Sequence, residues 1–367
     1  MNVAILGLGI VGKGVYDLIE KNHKGITVKY VLEIDETKTV GVSSNVITDY
    51  EIILNDPNID TVIELIGGLT FAYDAIKKAL EAGKNVVTAN KAVISKHFKE
   101  LTDIANENNV LLLYEASVGG GIIVLNPLYT ISNNNCIDSV KGIMSGSTNY
   151  VLSKFFLEDM SLETSLDEAF KNGFLETGNN DDMDGLDVLR KINILSSISF
   201  HQHFDEIDIH VNPLSSLTSK LMNYVKSKNL LIKYFGTSYK VLNEVVIKVE
   251  PVILSSNNPY SNINYEANYI EFKGANFQHM AFEGIGAGRY PTAQAVVYDL
   301  TKIKGNMKED FIFNRNDLLV NNDLDTNRYL IEQGNTFKVT EEVSLTELHK
   351  IYKNVRCYAR IEGNVNV

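Results

Sequence analysis

The stretch Val3-Ala4-Ile5-Leu6-Gly7-Leu8-Gly9-Ile10-Val11-Gly12, near the start of the chain, decides the fold class. It places the pattern G-x-G-x-x-G directly after an apolar run and directly before a helix-like segment. In such a loop the first glycine permits a tight turn, the second lets backbone N–H groups approach a pyrophosphate, and the third allows close helix packing. We therefore predict a dinucleotide-binding loop; the alternative is a plain glycine turn.

Outward from this loop, short β-branched runs alternate with helix-like segments as far as residue 117. This alternation is typical of stacked βαβ units, which build a parallel sheet covered on both faces. The helix-like segments carry one apolar stripe each, as at Ala72, Ile76, Ala79 and Leu80. The predicted strands are Val3–Leu6, Thr27–Glu33, Val62–Ile66, Asn85–Thr88 and Val110–Tyr114.

The rhythm changes after the three glycines at 119–121, where longer helical segments and then separate strand-like runs follow. This change predicts an α+β domain behind a Rossmann domain, so we assign the chain to the α/β class with a doubly wound parallel sheet at its N-terminus. The predicted helices of this part are Tyr150–Glu158, Leu166–Asn172, Gly185–Ser199 and Leu345–Tyr352, and its predicted strands include Val245–Val249, Ile270–Phe272, Met280–Glu283, Lys338–Thr340 and Val355–Ile361.

Composition excludes several classes of protein. The 367 residues include 34 Lys and Arg against 46 Asp and Glu, a net charge of −12, which disfavours a nucleic-acid partner. We expect no membrane association, because no apolar run reaches the length of a span. The two cysteines have neither metal-site spacing nor the density of a disulfide scaffold, so we expect a cytoplasmic protein.

Glu33 is the candidate ribose ligand. It lies 21 residues after Gly12, at the end of the second predicted strand, where a carboxylate accepts a hydrogen bond from the 2′-OH of NAD. Residues 27–37 contain no arginine to bind a 2′-phosphate, so NAD is the expected cofactor. Lys38 leaves NADP open, and a solvated acidic turn is the alternative interpretation of Glu33.

At this point the chain resembles the homoserine dehydrogenase family over residues 1–305. The motifs that carry the resemblance follow the glycine loop in order: Glu64-Leu65-Ile66-Gly67-Gly68, Val87-Thr88-Ala89-Asn90-Lys91-Ala92, Tyr114-Glu115-Ala116-Ser117-Val118-Gly119-Gly120-Gly121, Gly146-Ser147-Thr148-Asn149-Tyr150, Asp184-Gly185-Leu186-Asp187 through Lys191, and Gly286-Ala287-Gly288-Arg289-Tyr290-Pro291-Thr292-Ala293. The resemblance implies interconversion of L-aspartate 4-semialdehyde and L-homoserine with NAD(P), a step of threonine and methionine biosynthesis.

The resemblance also implies a domain plan. Residues 1–130 would form the Rossmann domain, and residues 131–305 a catalytic and dimerisation domain in which 285–305 return to the cofactor domain. Residues 306–367 would be a short C-terminal extension that could be a truncated regulatory module. A homodimer and a small-molecule substrate are the expected partners.

Asp187 and Lys191 are the candidate catalytic pair. They are four residues apart in a predicted helix, so both project from one face. By resemblance Lys191 protonates the alkoxide that forms when hydride reaches the aldehyde carbon, and a desolvated lysine can act as the base in reverse. A surface ion pair is the alternative. Lys91, which the family places beside cofactor and substrate, is the third candidate catalytic residue, and a solvated lysine is its alternative.

The resemblance assigns further binding residues. Glu176 and Asp187 would bind the substrate's amino end with Asp182, in an acidic cluster that could also be a plain solvated loop. The other expected substrate residues are Gly146 and Thr148. The expected cofactor residues are Gly7, Leu8, Gly9, Ile10, Val11, Gly12, Glu33, Thr88, Lys91, Gly173 and Gly288.

A monovalent cation, Na⁺, is expected at Glu115, Val118, Gly120 and Ile122, held mostly by backbone carbonyls. A glycine-rich turn without a ligand is the alternative.

The chain departs from the family pattern in two places. Ser145 stands where the family usually has asparagine, and Thr177-Gly178-Asn179 replaces the usual Ala-Asp-Pro. The second change leaves a dehydrogenase of another small amino-acid semialdehyde as one alternative. A catalytically silent NAD-binding regulatory protein is the other, although such a protein has no chemical need for a proton donor.

Overall fold

The computed structural model describes residues 1–134, 136–175, 178, 180–306, 311–315, 317–353, 355–363, 365 and 367. The chain divides into two compact units. Unit 1 comprises Met1–Thr130 and Ile285–Asn314, and unit 2 comprises Ile131–Gly284 and Arg315–Val367.

Unit 1 is built on a six-stranded parallel sheet in the order β3-β2-β1-β4-β5-β6. Its strands are β1 Asn2–Leu6, β2 Thr27–Leu32, β3 Asn45–Ile47, β4 Thr61–Glu64, β5 Asn85–Thr88 and β6 Leu112–Leu113. Its helices are α1 Ile10–Asn22, α2 Glu51–Leu54, α3 Thr70–Glu81, α4 Lys91–Glu107, α5 Leu125–Asn134, within which the unit boundary falls, and α10 Arg289–Lys304. This strand order is that of the Rossmann fold, which confirms the predicted fold class.

Two apolar clusters cover the two faces of this sheet. In α3 the predicted stripe is buried completely, with Ala72, Ile76, Ala79 and Leu80 at 0% exposure. On the other face α10 packs against α1, and a Cβ added to Gly14 would lie 3.0 Å from the Ala293 Cβ. The late helix α10 is therefore part of the dinucleotide-binding unit.

Unit 2 contains a ten-stranded mixed sheet, whose main path runs β12-β11-β7-β9-β10-β16-β14-β15. Its strands are β7 Ser139–Ile143, β8 His210–Val211, β9 Leu230–Val241, β10 Glu244–Ser255, β11 Ala267–Gly274, β12 Gln278–Ile285, β13 Leu319–Val320, β14 Arg328–Gln333, β15 Thr336–Val339 and β16 Tyr358–Ile361. Its helices are α6 Gly146–Leu157, α7 Leu162–Lys171, α8 Leu186–Phe200, α9 Ser219–Ser227 and α11 Leu345–Ile351.

The C-terminal strands belong to this same sheet. β16 pairs in parallel with the long strand β10, and β14 pairs antiparallel with β16. The buried guanidinium of Arg360 on β16 donates to Glu250 Oε1 on β10 at 2.7 Å. These contacts integrate the C-terminal segment with the rest of unit 2.

Two helices begin earlier than their apolar pattern predicts, because a serine caps each of them. α6 begins at Gly146 rather than Tyr150, since the side chain of Ser145 accepts from the Thr148 N–H. In the same way Ser161 starts α7 at Leu162, where the pattern predicts Leu166.

Within the described ranges, no helix is both long and apolar enough to cross a bilayer.

Candidate active site

The glycine loop of unit 1 has the geometry that a pyrophosphate requires. Gly7 adopts a φ of +89°, and a Cβ on Gly12 would lie 2.1 Å from the Gly7 carbonyl oxygen, so both positions need glycine. A Cβ on Gly9 would meet nothing within 4 Å. The loop is thus closely packed on its inner side and open at its second glycine, the position where a phosphate approaches the backbone.

The first turn of α1 faces this opening. Gly9 is its N-cap and provides no side-chain cap, so the first N–H groups of α1 stay available to an anion. Ile10 is 74% exposed, Val11 is half-buried, and Leu8 is buried in the core. The Leu8 side chain therefore packs in the core and does not face the opening. Its backbone N–H donates to Glu33 Oε2 at 2.8 Å.

Glu33 lies at the end of β2 and is held by the backbone. Its Oε1 accepts from the N–H groups of Ile34 and Asp35, both at 3.0 Å. Burial alone would raise the pKa of Glu33, but these N–H groups, that of Leu8 and the Lys38 ammonium outweigh it and leave the pKa below its usual value. Glu33 is therefore a fixed carboxylate beside the glycine loop.

Glu64 is a site residue to which the sequence analysis gave no role. At the end of β4 it is 0% exposed, accepts from the Ile66 and Gly67 N–H groups at 2.9 and 3.1 Å, and accepts from the Thr88 hydroxyl at 2.6 Å. Thr88 in turn accepts from the Asn90 N–H at 2.9 Å. The Thr88 hydroxyl therefore links the end of β4 to the end of β5 by hydrogen bonds.

This network sets the start of α4. Asn90 caps the helix by accepting from the Val93 N–H, and its amide donates to the Gly68 carbonyl at 2.8 Å. Lys91, the first residue of α4, is half-buried at the carboxyl end of the sheet. Gly288, with a φ of +117°, is the N-cap of α10, which packs against α1.

The predicted cation site of unit 1 is a compact turn. A Cβ on Gly120, whose φ is +57°, would lie 2.1 Å from the Gly286 carbonyl oxygen. Val118 and Ile122 are buried at 0% and 7% exposure. Within the described residues, no group of three or more His, Cys, Asp and Glu side chains is placed to hold a metal ion.

Glu115 forms the inner wall of this turn. Its carboxylate accepts three backbone N–H groups at the start of α5, those of Val124, Leu125 and Asn126, at 2.7 to 2.9 Å. Burial nevertheless raises its pKa. The Asp299 carboxyl accepts from the Glu115 N–H at 2.9 Å, and burial, followed by the charge of Glu115, raises the pKa of Asp299 to about 8.

In unit 2, α8 brings the candidate catalytic pair together. Lys191 Nζ donates to Asp187 Oδ2 at 2.9 Å and to the Met144 carbonyl oxygen at 2.7 Å. The two residues are only 7% and 5% exposed. The alternative of a surface ion pair is wrong, because α8 is packed on nearly all sides and both charged groups are buried.

The segment before α8 positions Asp182. The turns of residues 180–185 end at Gly185, whose φ is +84° and whose added Cβ would lie 2.2 Å from the Tyr234 hydroxyl. Asp182 Oδ1 accepts a long hydrogen bond, 3.4 Å, from Ser145 Oγ. Glu176, together with the altered residues Thr177 and Asn179, lies outside the described residues.

The start of α6 adjoins this segment. Gly146 is its first residue, and a Cβ there would lie 3.0 Å from the Glu266 carbonyl oxygen. Thr148 is 1% exposed, and its hydroxyl donates to the Ser145 carbonyl at 3.2 Å. Gly173 is exposed just beyond the end of α7, with a φ of +74°.

The predicted residues therefore form two groups. Unit 1 gathers the glycine loop, Glu33, Thr88, Lys91, Gly288 and the turn at 115–122, whereas unit 2 gathers Lys191, Asp187, Asp182, Gly146, Thr148 and Gly173. The sequence analysis gave no role to Glu64, although a carboxylate that ends a buried strand is a signal that could have identified it.

Comparison with known proteins agrees with this geometry. Two family models match the chain: "Homoserine dehydrogenase, NAD binding domain" over residues 7–115 and "Homoserine dehydrogenase" over residues 124–301. The homoserine dehydrogenase of Bacillus subtilis is 33% identical over 320 residues, which cover 84% of this chain and 74% of that protein. That of Synechocystis is 34% identical over 318 residues, covering 83% and 73%.

Solved structures match along the whole chain. The crystal structure of a homoserine dehydrogenase from Thiobacillus denitrificans has a TM-score of 0.87 at 25% identity and covers 99% of this chain and 98% of that one. Homoserine dehydrogenase of S. aureus has a TM-score of 0.79 at 28% identity, with 99% of each chain covered. The glycine loop, the buried lysine–aspartate pair and these matches together assign the chain to the homoserine dehydrogenase family of NAD(P)-dependent oxidoreductases.

Proposed function

We propose that this chain interconverts L-aspartate 4-semialdehyde and L-homoserine with Lys191 as the group that gives and takes the proton. The observation that carries this proposal is the buried Lys191 ammonium, held by Asp187 and the Met144 carbonyl. NAD(P)H, when bound, supplies the hydride that reduces the aldehyde carbon. The residues of this chain then have to bind the amino-acid end, fix the carbonyl and deliver one proton.

Lys191 delivers that proton to the carbonyl oxygen as it becomes an alkoxide, and solvent later returns the proton to the amine. Asp187 keeps the lysine oriented and balances its charge while both are out of water. In the oxidation of homoserine the neutral amine accepts the hydroxyl proton. A general acid or base held in this way contributes about 10² to 10⁴-fold to a rate.

The substrate's ammonium group needs carboxylates, and unit 2 supplies them. We assign Glu176, Asp182 and Asp187 to this role, with Gly146 and Thr148 at the start of α6 beside them. The support is that Asp182 and Ser145 are in hydrogen-bond reach of each other, which joins the acidic segment to the start of α6. A second carboxylate is required here, because Asp187 is already engaged with Lys191.

NAD is the proposed cofactor in preference to NADP. Glu33 presents a fixed carboxylate next to the glycine loop, and a 2′-phosphate would meet it with about two like charges. Gly7 to Gly12, Thr88, Lys91 and Gly288 would line the nucleotide site, with Thr88 acting through the Glu64 network. Gly173 is proposed as a further cofactor residue.

A monovalent cation at Glu115, Val118, Gly120 and Ile122 remains part of the proposal. Its support is that the buried Glu115 carboxylate lies beside the backbone carbonyls of this glycine-rich turn. A hard cation prefers oxygen ligands of this kind. Turnover measured in sodium chloride and in tetramethylammonium chloride at equal ionic strength tests it, and equal rates would contradict a cation requirement.

We also propose a cytoplasmic homodimer. Both cysteines are free, Cys136 exposed and Cys357 buried, as is usual in a reducing compartment. The edge strand β12 leaves backbone groups available for a second copy. Analytical ultracentrifugation of the full chain tests the dimer, and a monomer at micromolar concentration would contradict it.

The function itself is tested by absorbance. Purified chain is mixed with aspartate semialdehyde and NADH or NADPH, and in reverse with homoserine and the oxidised cofactors. Turnover with these substrates supports the proposal, while no turnover in either direction with both cofactors contradicts it. A panel of other small amino-acid semialdehydes tests whether the Thr177-Gly178-Asn179 change alters substrate choice.

A further inference from the structure

The Met144 carbonyl oxygen, which holds the Lys191 ammonium, has a second donor. Asn268 Nδ2 donates to it at 2.9 Å, beside the 2.7 Å bond from Lys191 Nζ. Asn268 and Met144 are both 0% exposed. The amide of Asn268 and the ammonium of Lys191 therefore converge on one buried oxygen.

Asn268 occupies a particular place in the sheet. The antiparallel pairing of β11 with β7 ends at Tyr269 and Ile143, so Asn268 stands opposite Met144, one position beyond the last pair. The backbone hydrogen bonds between β11 and β7 stop before this position, and the Asn268 side chain bonds the Met144 carbonyl instead. The Met144 carbonyl is thereby held at the point where the chain leaves β7 for Ser145 and α6.

The orientation of this amide follows from chemistry. Asn268 Oδ1 is buried without a hydrogen-bond partner among the described residues. Turning the amide over would place this oxygen against the Met144 oxygen and lose the bond to it, so Nδ2 must face the carbonyl. An unpaired buried acceptor costs about 1–3 kcal/mol, so Asn268 is poorly explained as a stabilising residue.

The chain segment that carries Asn268 is itself fixed. Lys233 Nζ donates to Asn149 Oδ1 and to Asn264 Oδ1, both at 2.9 Å, and also to the Ile263 carbonyl. Asn149 Nδ2 donates to the Ala267 carbonyl at 3.0 Å. Residues 263–267 are therefore anchored to α6, which leaves the adjoining Asn268 little freedom to move.

We infer that Asn268 is a positioning residue for Lys191, acting through the Met144 carbonyl oxygen. The inference rests on the proposed role of Lys191. Two hydrogen-bond donors fix the orientation of the Met144 carbonyl, and this oxygen in turn fixes the position of the Lys191 ammonium. Without Asn268 the carbonyl loses one restraint, and the ammonium is no longer aimed reproducibly at the substrate oxygen.

The test compares Asn268→Ala with Gln202→Ala. Gln202 is a matched control, since its buried amide donates to the Leu318 carbonyl at 2.8 Å and touches no proposed site residue. We expect Asn268→Ala to lower kcat about tenfold or more in both directions while KM for NADH stays within about two-fold, because misplacement of a reacting group mainly affects the chemical step. Gln202→Ala should lower Tm and leave kcat within about two-fold.

A second variant gives a readout that a purely structural role would not move. In Asn268→Asp the protonated carboxyl can donate to Met144 O, whereas the ionised form would repel that oxygen and draw the Lys191 ammonium to itself. Its kcat relative to the parent chain should therefore fall as pH rises from about 6 to 9, while the ratio for Asn268→Ala stays level.

Two results would overturn the inference: a kcat for Asn268→Ala within about two-fold of the parent chain, or a loss that Gln202→Ala matches. If Asn268→Ala does not fold, Asn268→Asp decides, and a pH-independent ratio would overturn it. Failure of the parent chain to turn over either substrate would instead contradict the proposed function.

Discussion

Lys191 lies one turn after Asp187 on α8, and its Nζ atom donates to Asp187 Oδ2 at 2.9 Å inside the core of unit 2. A buried pair of this kind has lost its hydration, so its contribution depends on the geometry of the pair and of its other hydrogen bonds. The side chains of Lys191 and Asp187 are 9% and 7% exposed, whereas those of Lys154 on α6 and Glu158 at its C-cap, also four residues apart, are 14% and 34% exposed.

The first prediction concerns this pair. Lys191→Ala should lose about 10² to 10⁴-fold in kcat with little change in NADH affinity, because it removes the proposed proton donor. Lys154→Ala removes an equally spaced but partly exposed pair and should keep kcat within about two-fold. Steady-state kinetics with both variants decide the matter. A kcat near that of the parent chain would remove Lys191 from the mechanism.

The second prediction concerns cofactor choice. The kcat/KM for NADH should exceed that for NADPH, because Lys38 lies 3.8 Å from Glu33 and 3.7 Å from Asp35, and these two carboxylates offset its charge toward a phosphate. Ile34 is 83% exposed, so Ile34→Arg should raise kcat/KM for NADPH by about tenfold through a bidentate bond. A preference for NADPH that Lys38→Ala abolishes would mean that the lysine overrides the acids.

The third prediction is a pH dependence from Asp299. Its pKa is raised to about 8 in the folded state, against an ordinary aspartate value of 3.8, so between these values the folded chain holds a proton that the unfolded chain has lost. Its contribution to the free energy of unfolding therefore falls as pH rises through this window. Urea titrations of Asp299→Asn should show a weaker fall, and those of Asp49→Asn, an exposed aspartate, the same fall as the parent chain. Equal slopes for Asp299→Asn and the parent chain would refute this assignment.

The fourth prediction concerns Lys233, whose effect on the pH dependence of stability is opposite to that of Asp299. Burial lowers the pKa of Lys233 to about 7 from 10.5, so from pH 7 to 10.5 the unfolded chain binds a proton that the folded chain does not. The Lys233 contribution to stability therefore rises with pH. Lys233→Met should remove this rise, whereas Lys240→Met on the same strand should keep it. Urea unfolding at pH 7 and 10 measures both, and an unchanged rise in Lys233→Met would contradict the prediction.

The fifth prediction tests the junction of β16 with β10. Arg360 donates to Glu250 at 2.7 Å and to Glu362 at 2.6 Å, and the Glu250 side chain is only 3% exposed. Arg360→Met should lower the free energy of unfolding by about 3–5 kcal/mol, because it leaves Glu250 buried without its cation.

Two further variants check this interpretation. Adding Glu250→Leu to Arg360→Met should recover much of the loss, since the unpaired charge is then gone. Arg315→Met breaks a more exposed pair with Asp317 and should cost about 1 kcal/mol or less. A cost for Arg360→Met as small as that for Arg315→Met would mean that this ion pair does not secure the C-terminal strand.

The sequence by itself determined the Rossmann unit and the pairing of Asp187 with Lys191. Gly7, Gly9 and Gly12 are read from local spacing, and the burial of Ala72 and Ile76 follows from helical periodicity. Asp187 and Lys191 meet because residues four apart share a helix face. Each of these relationships lies within a few residues, so no knowledge of the rest of the chain was needed to predict it.

The tertiary structure alone decided which distant groups lie beside the candidate site residues. The bond from Asn268 to the Met144 carbonyl spans 124 residues, and the Glu64 bond to Thr88 spans 24. The sequence of β7 does not predict a strand clearly, because it contains Gly142. Glycine is required there by the Tyr269 carbonyl oxygen, which lies 2.4 Å from where a Cβ would be. Every residue has a backbone carbonyl, so residue type does not reveal which carbonyl accepts a given bond. Strand register depends on pairing between remote segments. The oxygen that holds Lys191 is therefore visible only once β7 and β11 have been brought side by side.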